Sequence, residues 1–385
     1  MSKQQPRMKP ARVHALVEDL FAEDMHAKRV LSLGNAVVGV MHGASLSVRA
    51  IGVGLAMANE LKSKHAVKQV DRLLSNENLD VAEVFAAWVH YVLGERKEAI
   101  IALDWTDFDA DDHTTLAAYL VTSHGRATPL AWKTVKKSEL KGARNGHEDA
   151  LLERLHEVIA RDVRVTILAD RAFGDQEMYR SLQALGWDYV IRFRGCIEVC
   201  DENDEAKPAS DWLSASGRAK MIKNVTVTKD RTPIPAVVLV HAPRMKEPWY
   251  LATSRSDLGA AAVIKLYGRR FTIEETFRDQ KDARFGLGLS ATHTKSCARR
   301  DRILLLAALA EALLTLLGAA GEATGLDRWL KTNTSKKRQH SLFNQGLLLY
   351  GLLPGLKDDE ARALMQHFDR LVAEQKVFHQ AFGVL

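Results

Sequence analysis

Apolar residues recur at spacings of three and four over 13–21, 48–61 and 81–93, which predicts amphipathic helices up to about Gly94. Ser75-Asn-Glu-Asn78 interrupts this pattern and is placed to cap a helix that begins near Asp80. At Ala99 the period changes: Ala-Ile-Ile-Ala-Leu is a continuous apolar run, as expected of a strand covered on both faces. Strands are predicted over 115–122 and 129–135, joined by the hairpin loop Ser-His-Gly-Arg-Ala. A helix over 148–160, a strand over 163–169, a helix over 176–185 and a strand over 188–194 complete an α/β order around a central sheet. Beyond Gly195 the chain is β-like and irregular, with strands over 219–228, 236–241 and 249–253. From Gly259 it is helical again, through Glu274 and Lys281, the apolar stretch 303–320 and a last helix over 358–374. These shifts divide the chain into a helical region 1–95, the first part of an α/β core 96–195, a β-rich insertion 196–256, the second part of the core 257–320 and a helical carboxy-terminal region 321–385.

Composition narrows the class. Hydrophobic residues at 46% and charged residues at 26% are ordinary for a folded protein. Lys+Arg 54 against Asp+Glu 48 gives a net charge of +6, which admits a polyanionic partner without requiring one. Arg49, Lys62, Lys64, Lys68 and Arg72 give the amino-terminal helices either a side that faces nucleic acid or a solvated basic face. Cys196, Cys200 and Cys297 lack the paired spacing with histidines that a zinc site needs and cannot all form disulfides, which points to a reducing cytoplasm. The amino terminus is polar and basic, without the apolar core of a secretory signal. Residues 303–320 approach membrane-spanning length, but Glu311 within them and Arg299, Arg300 and Arg302 before them predict a buried helix and no membrane anchor.

Two carboxylates stand at matching positions. Asp104 follows Ile-Ile-Ala-Leu, and Asp170 follows Val-Thr-Ile-Leu-Ala. Each, taken alone, reads as a polar strand end; neighbouring strands would bring both to one rim, where burial would call for a cation or donors beside them. Asp107, Asp109, Asp111 and Asp112 read as loop acids, and His113, His124 and His147 as surface histidines. Further on, a single helix through Tyr267, Arg270, Glu274 and Lys281 gathers these four within an arc of roughly 60° at 100° per residue. Leu266, Ile273 and Phe277 form the apolar stripe beside them, and Glu275 points away. The plainer reading of this segment is a surface helix with an Arg270–Glu274 pair four residues apart. Trp249 lies in a strand, where it serves either as core or as an exposed stacking face. Lys336, Lys337 and Arg338 form a cluster that suits phosphate contacts or a solvated loop equally.

The order Tyr, two residues, Arg, three residues, Glu, six residues, Lys, together with Asp104 and Asp170-Arg171, resembles the Y-R-E-K signature of bacterial insertion-sequence DDE transposases of the IS-four type. The resemblance spans about 100–281. It implies a ribonuclease-H-like core in which Asp104, Asp170 and Glu274 are the catalytic, metal-holding acids. Their hard oxygens suit two Mg²⁺ or Mn²⁺ ions. Tyr267, Arg270 and Lys281 would hold phosphates, and Trp249 would stack on a flipped base. The implied activity is hydrolysis of phosphodiesters at transposon ends followed by strand transfer of the 3′ hydroxyl into target DNA. The implied partners are the terminal inverted repeats, target DNA and a second copy of the chain in a paired-end complex, with the amino-terminal region reading the ends. A metal-dependent nuclease without joining activity and a catalytically silent DNA-binding regulator are the competing readings.

Overall fold

The computed structural model describes residue 8 and residues 10–373 apart from 123 and 336; Lys336 of the basic cluster and the end of the last predicted helix therefore lie outside the described residues. Five helices come first: α1 (Pro10–Phe21), α2 (Ala27–Gly43), α3 (Val48–Ala58), α4 (Ser63–Leu74) and α5 (Val81–Leu93). Ser47 and Asp80 cap α3 and α5 by accepting from backbone amides of the first turn. Arg49, Lys62, Lys64, Lys68 and Arg72 are all exposed.

The sheet follows. Its strands are β1 (Glu98–Phe108), β2 (His113–Val121), β3 (Ala127–Lys136), β4 (Arg164–Ala169), β5 (Asp188–Arg192), β6 (Glu198–Cys200), β7 (Ala206–Pro208), β8 (Lys220–Val227), β9 (Thr232–Val240) and β10 (Trp249–Thr253). Helices α6 (Arg144–Val158) and α7 (Gln176–Ala184) connect β3 to β4 and β4 to β5. All ten strands share one sheet, in the order β3-β2-β1-β4-β5-β10-β9-β8-β6-β7. β4 runs parallel to β1 and to β5, and every other pair is antiparallel. The strands after Gly195 thus extend the central sheet through β10, which pairs with β5. This is an α/β, ribonuclease-H-like arrangement with helices at both ends.

Alternation along β1 sorts its side chains between two layers. Ile101 and Leu103 pack with Leu151, Leu152 and Leu155 of α6 and with α5, whereas Ile100 and Ala102 pack with Tyr267, Ile273 and Phe277. The latter residues belong to α8 (Ala260–Gly268) and α9 (Phe271–Lys281). Burial on both faces explains the unbroken apolar run at 99–103.

Three expectations are corrected. The single helix through Tyr267 and Lys281 is two helices: Arg269 and Arg270 donate backbone hydrogen bonds three residues back, to Leu266 and Tyr267, and this tight turn separates α8 from α9. β1 does not end at Leu103, because its antiparallel pairing with β2 continues to Phe108 opposite His113. Nor are the histidines surface groups: His113 lies in the wholly buried strand β2, His124 is also buried and its pKa falls to about 3 through burial, and His147 is half-buried.

The apolar stretch 303–320 lies within α10 (Cys297–Ala323), followed by α11 (Leu342–Leu352) and α12 (Asp358–Ala373). By length and composition α10 is apolar enough to cross a membrane, yet nearly all of it is buried inside the protein. The stretch is the buried helix that its sequence predicts. Two glycines allow its closest contact. A Cβ on Gly318 would lie 1.9 Å from the Leu342 carbonyl oxygen, and one on Gly346 would lie 1.7 Å from that of Leu314, so α10 and α11 cross backbone to backbone.

Candidate active site

The rim of the sheet is set by where parallel pairing stops. β1 and β4 remain paired up to Leu103 opposite Ala169, so Asp104 is the next residue on β1 and Asp170 the first residue past the end of β4. Asp104 continues the face of Ile100 and Ala102, toward α9. Its Oδ1 accepts from the Trp105 backbone amide at 2.9 Å, and its Oδ2 accepts from Arg270 Nη1 at 3.0 Å. Asp170 closes a short turn in which its Oδ1 accepts from the Ala172 amide at 2.8 Å and its carbonyl accepts from the Phe173 amide at 3.1 Å.

Arg270 links the second aspect of the site to the first. Its Nη2 donates to Glu274 Oε1 at 2.7 Å, so one guanidinium holds Asp104 and Glu274 together. The Arg270 side chain is only 7% exposed, while that of Glu274 is 47% exposed. Burial works against the Arg270 charge, but Asp104, Tyr267, Glu274 and Asp170 outweigh it and raise the pKa. The Asp104 carboxyl is raised to about 6, chiefly by burial; Arg270 opposes the rise, and the like charges of Asp170 and Glu274 add to it. Asp104 therefore feels the charges of both other acids.

The remaining residues singled out in the sequence divide. Tyr267 is buried in the layer beneath the sheet, edge-on to Trp249 with ring centroids 5.0 Å apart. Half-buried Trp249 also lies 6.1 Å from Phe271, which is itself partly exposed. Lys281 stands at the far end of α9: its Nζ donates to the Asp107 carbonyl at 2.7 Å and lies 4.4 Å from the centroid of Phe108. It does not join the Arg270 pairings, but it lines, with Asp104 and Glu274, a cleft of about 780 Å³. Of the acids expected in a loop, Asp107 instead lies within β1, opposite Thr114; it and Asp109 are paired to Lys137, and Asp111 is ion-paired to fully buried Arg300. Arg338 is committed to Glu322.

Sequence reasoning missed Arg144 and Glu148. With α6 expected only from Glu148, the two were not seen as a pair on one helix turn; in the fold Glu148 is buried, and it accepts from Trp105 Nε1 at 2.7 Å and from Arg144 Nε at 3.0 Å. Repetition of an aromatic residue shortly after each aspartate, Trp105 and Phe173, was the available signal.

Carboxylate oxygens at one rim, with like charges that raise the Asp104 pKa, are the donor chemistry of a hard divalent cation. As they stand, no three His, Cys, Asp or Glu side chains among the described residues form a group that could hold a metal ion, and Arg270 supplies the positive charge between Asp104 and Glu274. The fit is one of donor set and electrostatics, and it requires the carboxylates to loosen from Arg270. A family model described as a transposase DDE domain matches residues 95–310. No curated protein matches the chain.

Proposed function

Since this chain belongs to the transposase DDE domain family, we propose that it is a transposase of the insertion-sequence type that cleaves DNA at the ends of its element and joins the freed 3′ ends to target DNA. The observation that carries this reading is the meeting of Asp104 and Asp170 at one strand rim with Glu274 tied to Asp104 through Arg270.

Asp104, Asp170 and Glu274 would hold the divalent cations that such domains generally use, two Mg²⁺ or Mn²⁺ ions in this reading. When bound, these ions lower the pKa of a water or hydroxyl and neutralise charge on phosphate oxygens. In the first step a water oxygen bonds to the phosphorus at the element end as the P–O3′ bond breaks, leaving a 3′ hydroxyl and a 5′ phosphate that keeps the water oxygen. In the second that hydroxyl oxygen forms a new bond to a target phosphorus, and the target's own 3′ oxygen leaves. No covalent bond to the protein is needed.

The chain's own groups orient the phosphate. Arg270, released in part from the acids when cations compensate them, directs a planar donor fork at phosphate oxygens. Lys281 contributes a point charge along the same cleft. Tyr267 supports Trp249 from beneath, and with Phe271 beside it the indole can offer a stacking face to an unpaired base. The helices of 1–95, with their exposed basic residues, would read the element's ends, and two copies would act on paired ends. A joining assay with a pre-cleaved end tests the second step: a product of higher mass in Mn²⁺ is expected, and cleavage without any joined product would reduce the activity to that of a nuclease.

A further inference from the structure

Glu148 is a carboxylate with 2% of its side chain exposed, on the layer of the sheet opposite α9. It accepts from Trp105 Nε1 and from Arg144 Nε, and the Arg144 guanidinium lies 5.4 Å from the Trp105 ring centroid and 5.6 Å from that of Phe173. Trp105 is the residue after Asp104, and its amide holds Asp104 Oδ1. Phe173 closes the turn that begins at Asp170, through its amide to the Asp170 carbonyl. One pair on the first turns of α6 therefore grips the two residues that fix both aspartates, from the face of the sheet that Arg270 does not reach.

Packing alone does not explain this arrangement. Leu151, Leu152 and Leu155 already seat α6 on the sheet, and a buried ion pair is seldom more stabilising than an apolar pair of the same volume. What the pair adds is direction: a fixed indole, a fixed phenyl ring and a planar cation between them set the spacing of the two strand ends.

We propose that Arg144 and Glu148 are positioning residues that hold Asp104 and Asp170 at the separation needed to share a divalent cation. The inference rests on the reading of these aspartates as metal ligands. Groups that orient ligands from behind typically contribute about 10–100-fold to metal affinity.

The test uses the full chain without DNA and Mn²⁺ as the probe, with affinity measured calorimetrically and folding by thermal melting. Glu148→Gln keeps one acceptor for the indole and loses the charge facing Arg144; Mn²⁺ binding should weaken roughly tenfold with little change in melting temperature. Trp105→Phe, which keeps an aromatic ring of smaller size and removes the N–H, should weaken it comparably. Leu155→Ala on the same helix should lower the melting temperature and leave Mn²⁺ affinity within about twofold, since it touches neither aspartate. If Asp104→Ala abolishes Mn²⁺ binding while Glu148→Gln retains wild-type affinity, the positioning role is overturned and the acidic site stands. If Asp104→Ala binds Mn²⁺ as well as wild type, the acidic site itself is wrong and this inference falls with it.

Discussion

Asp104 and Asp170 each stand one residue beyond the Leu103–Ala169 pair that ends the parallel pairing of β1 with β4. The sheet opens at this point on one side of β1 only, because β2 continues alongside it. A carboxylate here is held by a strand yet can still be reached from the rim.

Arg270 compensates this acidic rim, so its removal has a predictable signature. Arg270→Ala should lower stability by about 3 kcal/mol, because the Arg270–Asp104 pair is largely buried and Asp104 would be left there without its ion-pair partner. Millimolar Mn²⁺ should restore more stability to the variant than it adds to wild type, since binding to the folded state alone stabilises it. Denaturant titrations with and without Mn²⁺ measure both effects; equal gains would separate Arg270 from the metal site.

A pH dependence follows from Glu311. This carboxyl is enclosed in α10, accepts from Gln280 Nε2 at 3.1 Å, and burial raises its pKa from 4.5 to about 8. Between those values the folded chain keeps a proton that the unfolded chain has lost, so stability falls as pH rises through this window and levels off above it. Glu311→Gln should match wild type near pH 5 and exceed it near pH 8.5 by on the order of 3 kcal/mol. Parallel stability–pH curves for the two proteins would contradict this.

The crossing of α10 and α11 leaves no room for a methyl group at Gly346. Gly346→Ala should cost at least about 2 kcal/mol, read from the midpoint of chemical unfolding. Gly351→Ala, where a Cβ meets nothing within 4 Å, serves as the control and should be nearly neutral or stabilising.

If the helical region 1–95 holds DNA, its exposed cations release counterions on binding. Replacing Lys64, Lys68 and Arg72 together by Ala should reduce the slope of log affinity against log salt by roughly 2–3. An unchanged slope in fluorescence anisotropy would remove α4 from the interface.

Much of this was legible because strand burial and acid placement are local in sequence. The apolar run at 99–103 marks a strand covered on both faces, and the repeated acid after Leu103 and Ala169 marks the rim. Strands 220–227 and 249–253 also lay where β-like residues cluster. What escaped depends on long-range partners. Within 267–281 only Gly268, a poor helix former at which α8 ends, hints at the turn at Arg269–Arg270, and a single glycine does not by itself break a helical pattern. The burial of His113 depends on Arg300, 187 residues away, whose Nε donates to its Nδ1. Nothing within its own helix marks Glu148, because its role is set by Trp105, across the sheet layer and 43 residues earlier.

The central claim is that Asp104, Asp170 and Glu274 act together, and cleavage of plasmid DNA bearing the element's ends, in Mn²⁺, tests it most directly. Alanine at any one of the three should reduce the cleavage rate by at least about a thousandfold, with end binding and melting temperature close to wild type. Glu275→Ala, which removes a carboxylate paired with Arg278 and Arg126 on the other side of α9, should cleave at nearly the wild-type rate. Near-normal cleavage by a folded Asp104→Ala, Asp170→Ala or Glu274→Ala protein would contradict the account.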